Sequence, residues 1–155
     1  MENAVRELLF QARRPRDLDT LVLAGVMGMA LKENRKPLIR GLSEARFQKL
    51  LNEFFLGLAL ENGATPPGAD DDFGGLLHLL LEGRSEPSEP SAWLAYAVAS
   101  AAMQGNPLWQ DLGLPSSRHL ADFLHARFAP LAARNTADAD WKVFFRRELG
   151  DRALC

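Results

Sequence analysis

The stretch Ser43-Glu44-Ala45-Arg46-Phe47-Gln48-Lys49-Leu50-Leu51-Asn52-Glu53-Phe54-Phe55-Leu56-Gly57-Leu58 decides the fold class. Phe47, Leu50, Leu51, Phe54, Phe55 and Leu58 recur at i, i+3, i+4 and i+7, the spacing of one buried stripe on a helix. Ser43 stands at the N-cap, where a hydroxyl accepts from a free backbone N–H of the first turn. Upstream, Val5, Leu8, Leu9 and Ala12 mark a first amphipathic helix ended by Arg13-Arg14-Pro15. Asp17 or Asp19 caps a second that runs to Lys32, apolar on all sides from Leu21 to Leu31 and therefore expected at the centre. Gly25 and Gly28 lie inside it, each costing about 1 kcal/mol against alanine, so a neighbouring element is expected to approach closely there.

Downstream, Gly63-Ala64-Thr65-Pro66-Pro67-Gly68 breaks the pattern, and Asp70, Asp71 and Asp72 put negative charge at the start of a fourth helix, Phe73 to Leu81, where the dipole favours it. A loop from Gly83 to Pro90 precedes a fifth helix, Ser91 to Met103, in which alanines at 95, 97, 99, 101 and 102 surround Trp93, Leu94 and Val98. After Gly105, a turn holding Leu108 and Trp109 leads to Gly113. Ser116 or Ser117 caps a sixth helix carrying Leu120, Phe123, Leu124 and Phe128. A last helix from near Asp138 shows Trp141, Phe144, Phe145 and Leu149 on one face. The chain has no internal repeat and no low-complexity tract. These readings predict an all-α protein, one domain over 1–155, built as an irregular bundle of about six or seven short helices with residues 150–155 as a C-terminal tail.

Composition narrows the chemistry. The chain has 155 residues, 47% hydrophobic and 25% charged, the proportions of an ordinary globular domain. Eighteen Lys and Arg against 20 Asp and Glu give a net charge of −2, without the basic excess that drives binding to a phosphate backbone, so no nucleic-acid partner is expected. The uncharged run Pro90 to Gln110 contains two prolines and several polar residues, and its apolar part, Trp93 to Met103, is about half the roughly 20 residues a bilayer requires; no membrane partner is expected. The N-terminus lacks the basic and apolar regions of a secretory signal, which predicts a cytoplasmic protein. The single cysteine, Cys155, excludes an internal disulfide and an all-cysteine metal site within one chain.

His78, His119 and His125 show no paired metal-ligand spacing, and there is no glycine-rich phosphate loop and no nucleophile elbow. His78 reads as a partly buried helix residue, Asp70 to Asp72 as a helix-start cluster, and Arg13, Arg14, Arg16, Arg146 and Arg147 as solvated helix ends. Trp93, Trp109 and Trp141 read as core anchors. Nothing supports an enzyme.

The run Leu108-Trp109-Gln110-Asp111-Leu112-Gly113-Leu114 is less generic. With Arg118 and Leu120, then Phe128, Leu131-Ala132-Ala133-Arg134-Asn135, and then Trp141-Lys142 with Phe144, Arg147 and Leu149, it resembles the nitrogen-fixation NifQ family. Weaker similarity extends upstream through Trp93-Leu94-Ala95, Leu77 to Leu81 and Phe47 to Phe55. The resemblance implies a metal carrier that supplies molybdenum to the iron-molybdenum cofactor of nitrogenase, holding it in a molybdenum-iron-sulfur cluster, with the cofactor-assembly proteins as partners. Trp109, Gln110, Asp111, Gly113, Arg118, Asn135, Trp141 and Lys142 are the family-motif positions, expected to be structural or to form a docking surface. Trp109 is expected to plug the bundle, Gly113 to allow a turn, and Asp111 to cap or pair locally.

In the family the ligands are attributed to a Cys-x4-Cys-x2-Cys-x5-Cys motif after the Trp-Lys-x-Phe helix. This sequence has only Cys155 there, with Gly150 where a further cysteine often stands. It has Asn106-Pro107 in place of a histidine before Leu-Trp-Gln-Asp, and Asp140 in place of a methionine before Trp-Lys. Cys155 is the one candidate metal ligand, and one thiol does not make a cluster of about four ligands. The expectation is therefore a truncated or divergent member that does not hold the cluster by itself; the alternative function is a cluster-less helical interaction module in cofactor assembly.

Overall fold

The computed structural model describes residues 2–63, 72–136 and 139–153, the side chains of 2–4 and 151–153 excepted. The described helices are α1 (Glu2–Phe10), α2 (Leu18–Lys32), α3 (Glu44–Phe54), α4 (Phe73–Glu82), α5 (Glu89–Ala102), α6 (Leu108–Asp111), α7 (Ser117–Arg127), α8 (Ala129–Ala132) and α9 (Trp141–Ala153). Among the described residues there is no strand, only an antiparallel bridge between Ala12 and Phe55. The protein is all-α.

The helix that is apolar on all sides takes the centre. Val22, Leu23, Ala24, Met27 and Ala30 of α2 are fully buried, and α2 packs against α1, α5, α6 and α7. Its glycines do what the sequence reading expected. A Cβ on Gly28 would collide with Val5 of α1, and one on Gly25 would lie 2.6 Å from the Cα of Gly113. The alanine-rich α5 lies between α2 and α4, with Ala95, Ala97 and Ala99 fully buried. Small side chains let two helices approach the same one from different sides.

The Ser43 hydroxyl accepts from Arg46 N at 3.3 Å, and Phe47, Leu50 and Leu51 of α3 are buried. Phe54 meets Trp93 of α5 edge-on, ring centroids 6.2 Å apart. The helical stripe ends sooner than its spacing predicts: Phe55 is buried but extended, φ −131° and ψ 159°, because its neighbours pair with the chain after α1. Arg13 N donates to Phe54 O and Leu56 N to Gln11 O. The same pairing takes Ala12 out of α1, which ends at Phe10.

Other boundaries also move. Ser88 caps α5 by accepting from Ser91 N, so that helix starts two residues before the expected Ser91, with Pro90 in its first turn, where the missing N–H costs nothing. Phe128 falls outside α7. Pro130 cannot continue the preceding helix, so the chain bends at Phe128 (φ −133°, ψ 47°) into the additional short helix α8. Ser85 accommodates that bend: its Oγ donates to Ala126 O and accepts from Ala129 N. The last helix starts at Trp141 rather than near Asp138 and runs through Ala153, so the first four residues of the 150–155 tail are helical. Among the described residues the seven longer helices match the expected six or seven, and α6 and α8, four residues each, are too short to show a period. Asp70 and Asp71 lie outside the described residues.

Candidate functional site

Two of the motif residues, Asp111 and Lys142, meet where α6 faces the start of α9. Leu108 and Leu112 are buried at 3% and 0% exposure and anchor α6 on α2 and α5. The turn that follows is a Schellman motif: Leu114 N donates to Trp109 O at 2.9 Å and Gly113 N to Gln110 O at 3.0 Å. That motif needs a left-handed residue just past the helix, and Gly113 supplies φ +69°. Its missing side chain is needed twice, since a Cβ there would also lie 2.6 Å from the Cα of Gly25.

Asp111 faces inward and is 2% exposed. Its Oδ1 accepts from Asn106 Nδ2 at 3.1 Å, and its Oδ2 lies 3.9 Å from Lys142 Nζ. Lys142 reaches in from the first turn of α9 and donates to the carbonyls of Gln104, 2.7 Å, and Asn106, 2.5 Å. One ammonium thus closes the 104–106 loop and faces a buried carboxylate, joining the two sequence segments. Asn135 sets the approach to α9, its amide group exchanging two 2.9 Å bonds with the backbone of Ala139. Asp140 caps the helix, its Oδ2 accepting from Lys142 N at 3.1 Å. Arg134 pairs with the buried Glu148 one face away, 2.7 Å. Asn106 and Asp140, two of the positions that set this sequence apart from the expected pattern, therefore both have structural partners.

Trp109 corrects the expectation that it plugs the bundle. It is half-buried, because Leu108 and Leu112 occupy the core side of the turn, and its ring lies on the wall of a surface groove with Leu9, Met29 and Gln110. Gln110 and Arg118 are exposed. Trp141 is half-buried too, stacked edge-on with Phe144, 5.7 Å, and His125, 6.0 Å. Of the three tryptophans only Trp93, at 3% exposure, is a full core residue.

The histidines do not form a set. His78 is exposed rather than partly buried and pairs with Glu82 at 2.9 Å. His119 Nδ1 lies 2.8 Å from the Ser116 hydroxyl. Among the described residues no group of three or more His, Cys, Asp or Glu could hold a metal ion, and no helix is long and apolar enough to cross a membrane. Cys155 lies outside the described residues. Sequence reasoning missed Asn106, Asp140 and the groove. Asn106 and Asp140 carried a signal in their cap-forming residue types, while the groove joins residues more than 90 positions apart and left none.

A family model described as NifQ matches residues 22–155. Protein NifQ of Azotobacter vinelandii is 40% identical over 79 residues, 51% of this chain and 40% of its own length. Protein NifQ of Rhodobacter capsulatus is 37% identical over 111 residues, 70% of this chain and 61% of its own. A NifQ homolog of Sinorhizobium fredii is 30% identical over 144 residues, 86% and 62% respectively. The chain thus spans between 40% and 62% of the length of these relatives. No solved structure matches it.

Proposed function

The chain belongs to the NifQ family, and from that premise we propose that it acts in nitrogen fixation as the helical body of a molybdenum-handling protein, a carrier rather than an enzyme. Its cargo in this reading is molybdenum destined for the iron-molybdenum cofactor of nitrogenase, received by the cytoplasmic proteins that assemble that cofactor. The single supporting observation is the convergence of the two family segments, 108–114 and 141–149, on the contact between buried Asp111 and half-buried Lys142.

The residues of this chain do not by themselves fit a molybdenum-iron-sulfur cluster. Such clusters take soft thiolates, about four of them, and the sequence has one cysteine. In this reading the body positions the cargo, and the remaining thiolates come from outside this sequence. The test is anaerobic reconstitution with iron, sulfide and molybdate, elemental analysis, and then transfer of radiolabelled molybdate to nitrogenase in an extract depleted of the protein. The chain alone should retain well under one equivalent of molybdenum, and its addition should raise incorporation. No rise would remove the carrier reading. Stoichiometric molybdenum abolished by Cys155→Ser would show that Cys155 anchors a cluster within this chain.

A second reading, a cluster-less interaction module in cofactor assembly, is favoured by the half-exposed Trp109. It predicts binding to the assembly proteins with no effect on molybdenum transfer.

A further inference from the structure

We infer that the groove between α1, the C-terminal end of α2 and α6 is a docking site for a helical segment of another protein, one that carries apolar side chains on one face and carboxylates beside them. The groove has a volume of about 480 Å³. Leu9, Met29 and Trp109 make its apolar walls, all three half-buried. Arg6 and Lys32 stand on its rim with the amide of Gln110, all exposed, and no acidic residue is among its described lining. In a chain of net charge −2, two cations with no carboxylate among the described lining favour a local field of the opposite sign, which recruits an acidic partner.

The shape favours a protein segment over a small molecule. The groove is open along the surface, whereas sites built for small ligands bury about 70–90% of the ligand. A helix laid along it would seat its apolar face between the apolar walls and its flanking carboxylates against the rim. Tryptophan, methionine and arginine are the side chains enriched at the centres of such interfaces, and an unbranched methionine adapts to the incoming side chain. Trp109 packs only in part against the core, where Leu108 and Leu112 are the buried side chains of this turn. The Schellman turn fixes Trp109 next to Leu114 on a backbone wedged against Gly25, so little ordering is left for binding to cost.

The inference goes beyond the cargo reading and stands apart from it, because metal content reports on one and peptide binding on the other. The experiment titrates the full ¹⁵N-labelled chain with two synthetic amphipathic helical peptides of equal length and identical leucine spacing, one with glutamate and one with lysine at the flanking positions. The Trp109 indole N–H resonance, assigned with Trp109→Phe, should shift while those of Trp93 and Trp141 stay in place. The glutamate peptide should bind about tenfold more tightly, an advantage that salt erodes. Arg6→Glu with Lys32→Glu, both exposed and so compatible with the parent circular dichroism spectrum, should reverse the preference. Equal affinity for the two peptides, a preference unchanged in the double variant, or shifts at Trp93 or Trp141 instead would overturn the proposal. A Trp109 shift that depends on protein concentration without peptide would assign the groove to a second copy of the chain and overturn it as well.

Discussion

At the scale of single residues, Asp111 and Lys142 carry the sharpest energetic consequence. Lys142 places an ammonium at 17% side-chain exposure next to a carboxylate at 1%, and removing one member of a buried pair strands the other. Lys142→Met should destabilise the protein by about 3 kcal/mol, read from the urea midpoint, and Asp111→Asn by about 1–3 kcal/mol. The double variant should cost less than the sum of the singles, because neither leaves a charge for the other to strand; strict additivity would mean that the two groups do not interact. Trp109 makes the opposite case. Leu112→Ala opens a cavity in a fully buried site and should cost about 2–5 kcal/mol, while Trp109→Ala, which removes a groove wall, should cost clearly less in the same denaturation experiment. The sequence showed both large apolar side chains, but not which pointed inward: in a four-residue helix there is no second turn to establish a face.

At the scale of elements, the crossing of α2 with the α6 turn is a backbone-to-backbone contact that depends on two glycines 88 positions apart. Gly113→Ala would force a left-handed φ of +69° on a residue with a Cβ and push that Cβ into Gly25, so a melting temperature lowered by many degrees is expected. Gly150 in α9 has open space around it, and Gly150→Ala should raise stability by up to about 1 kcal/mol through the lower entropy of the unfolded chain.

The start of α3 offers a pH-dependent counterpart. Its N-terminal Glu44 accepts from the Gln48 side chain at 3.0 Å and from Asn62 N at 3.1 Å. These hydrogen bonds, the one from Gln48 foremost, hold its carboxyl below the usual glutamate range against the opposing effect of burial. A depressed folded-state pKa means the stabilisation is complete above the unfolded-state value and is lost as pH falls through the folded one. Stability of the parent should therefore decline below the ordinary carboxylate range more steeply than that of Glu44→Gln. Identical slopes for the two proteins would show that Glu44 contributes nothing there. The wider role of this corner is to hold Asn62, fully buried, whose amide accepts from Ile39 N and donates to Ile39 O and Leu42 O at 2.7–2.8 Å.

At the scale of the whole molecule, one core cluster runs through all the longer helices from Leu8 of α1 to Phe145 of α9, with α2 against four neighbours. No group of helices has a core of its own to fall back on. Thermal unfolding should be a single transition, coincident by far-UV circular dichroism and by tryptophan fluorescence, and the native spectrum should be helical; separated transitions would show that part of the bundle melts independently.

The amino-acid sequence by itself determined the helical class, the stripe of α3, the central place of α2, the cap at Ser43, and the family to which the chain belongs. Each is written in short-range spacing: a helix brings i, i+3 and i+4 together whatever surrounds it, and a cap is a contact within three residues. Only the tertiary structure decided that Phe55 is extended, that Trp109 faces a groove while Leu112 faces the core, and that Asp111 meets Lys142. These outcomes depend on which distant segment arrives first at a shared surface. The chain after α1 supplies hydrogen bonds that α3 would otherwise make to itself, Gly25 admits the α6 turn so closely that its rotation is fixed, and the first turn of α9 delivers a charge to a carboxylate 31 residues earlier in the chain. Steric fit and charge pairing between such segments have no period, so they leave no pattern in the sequence to be read in advance.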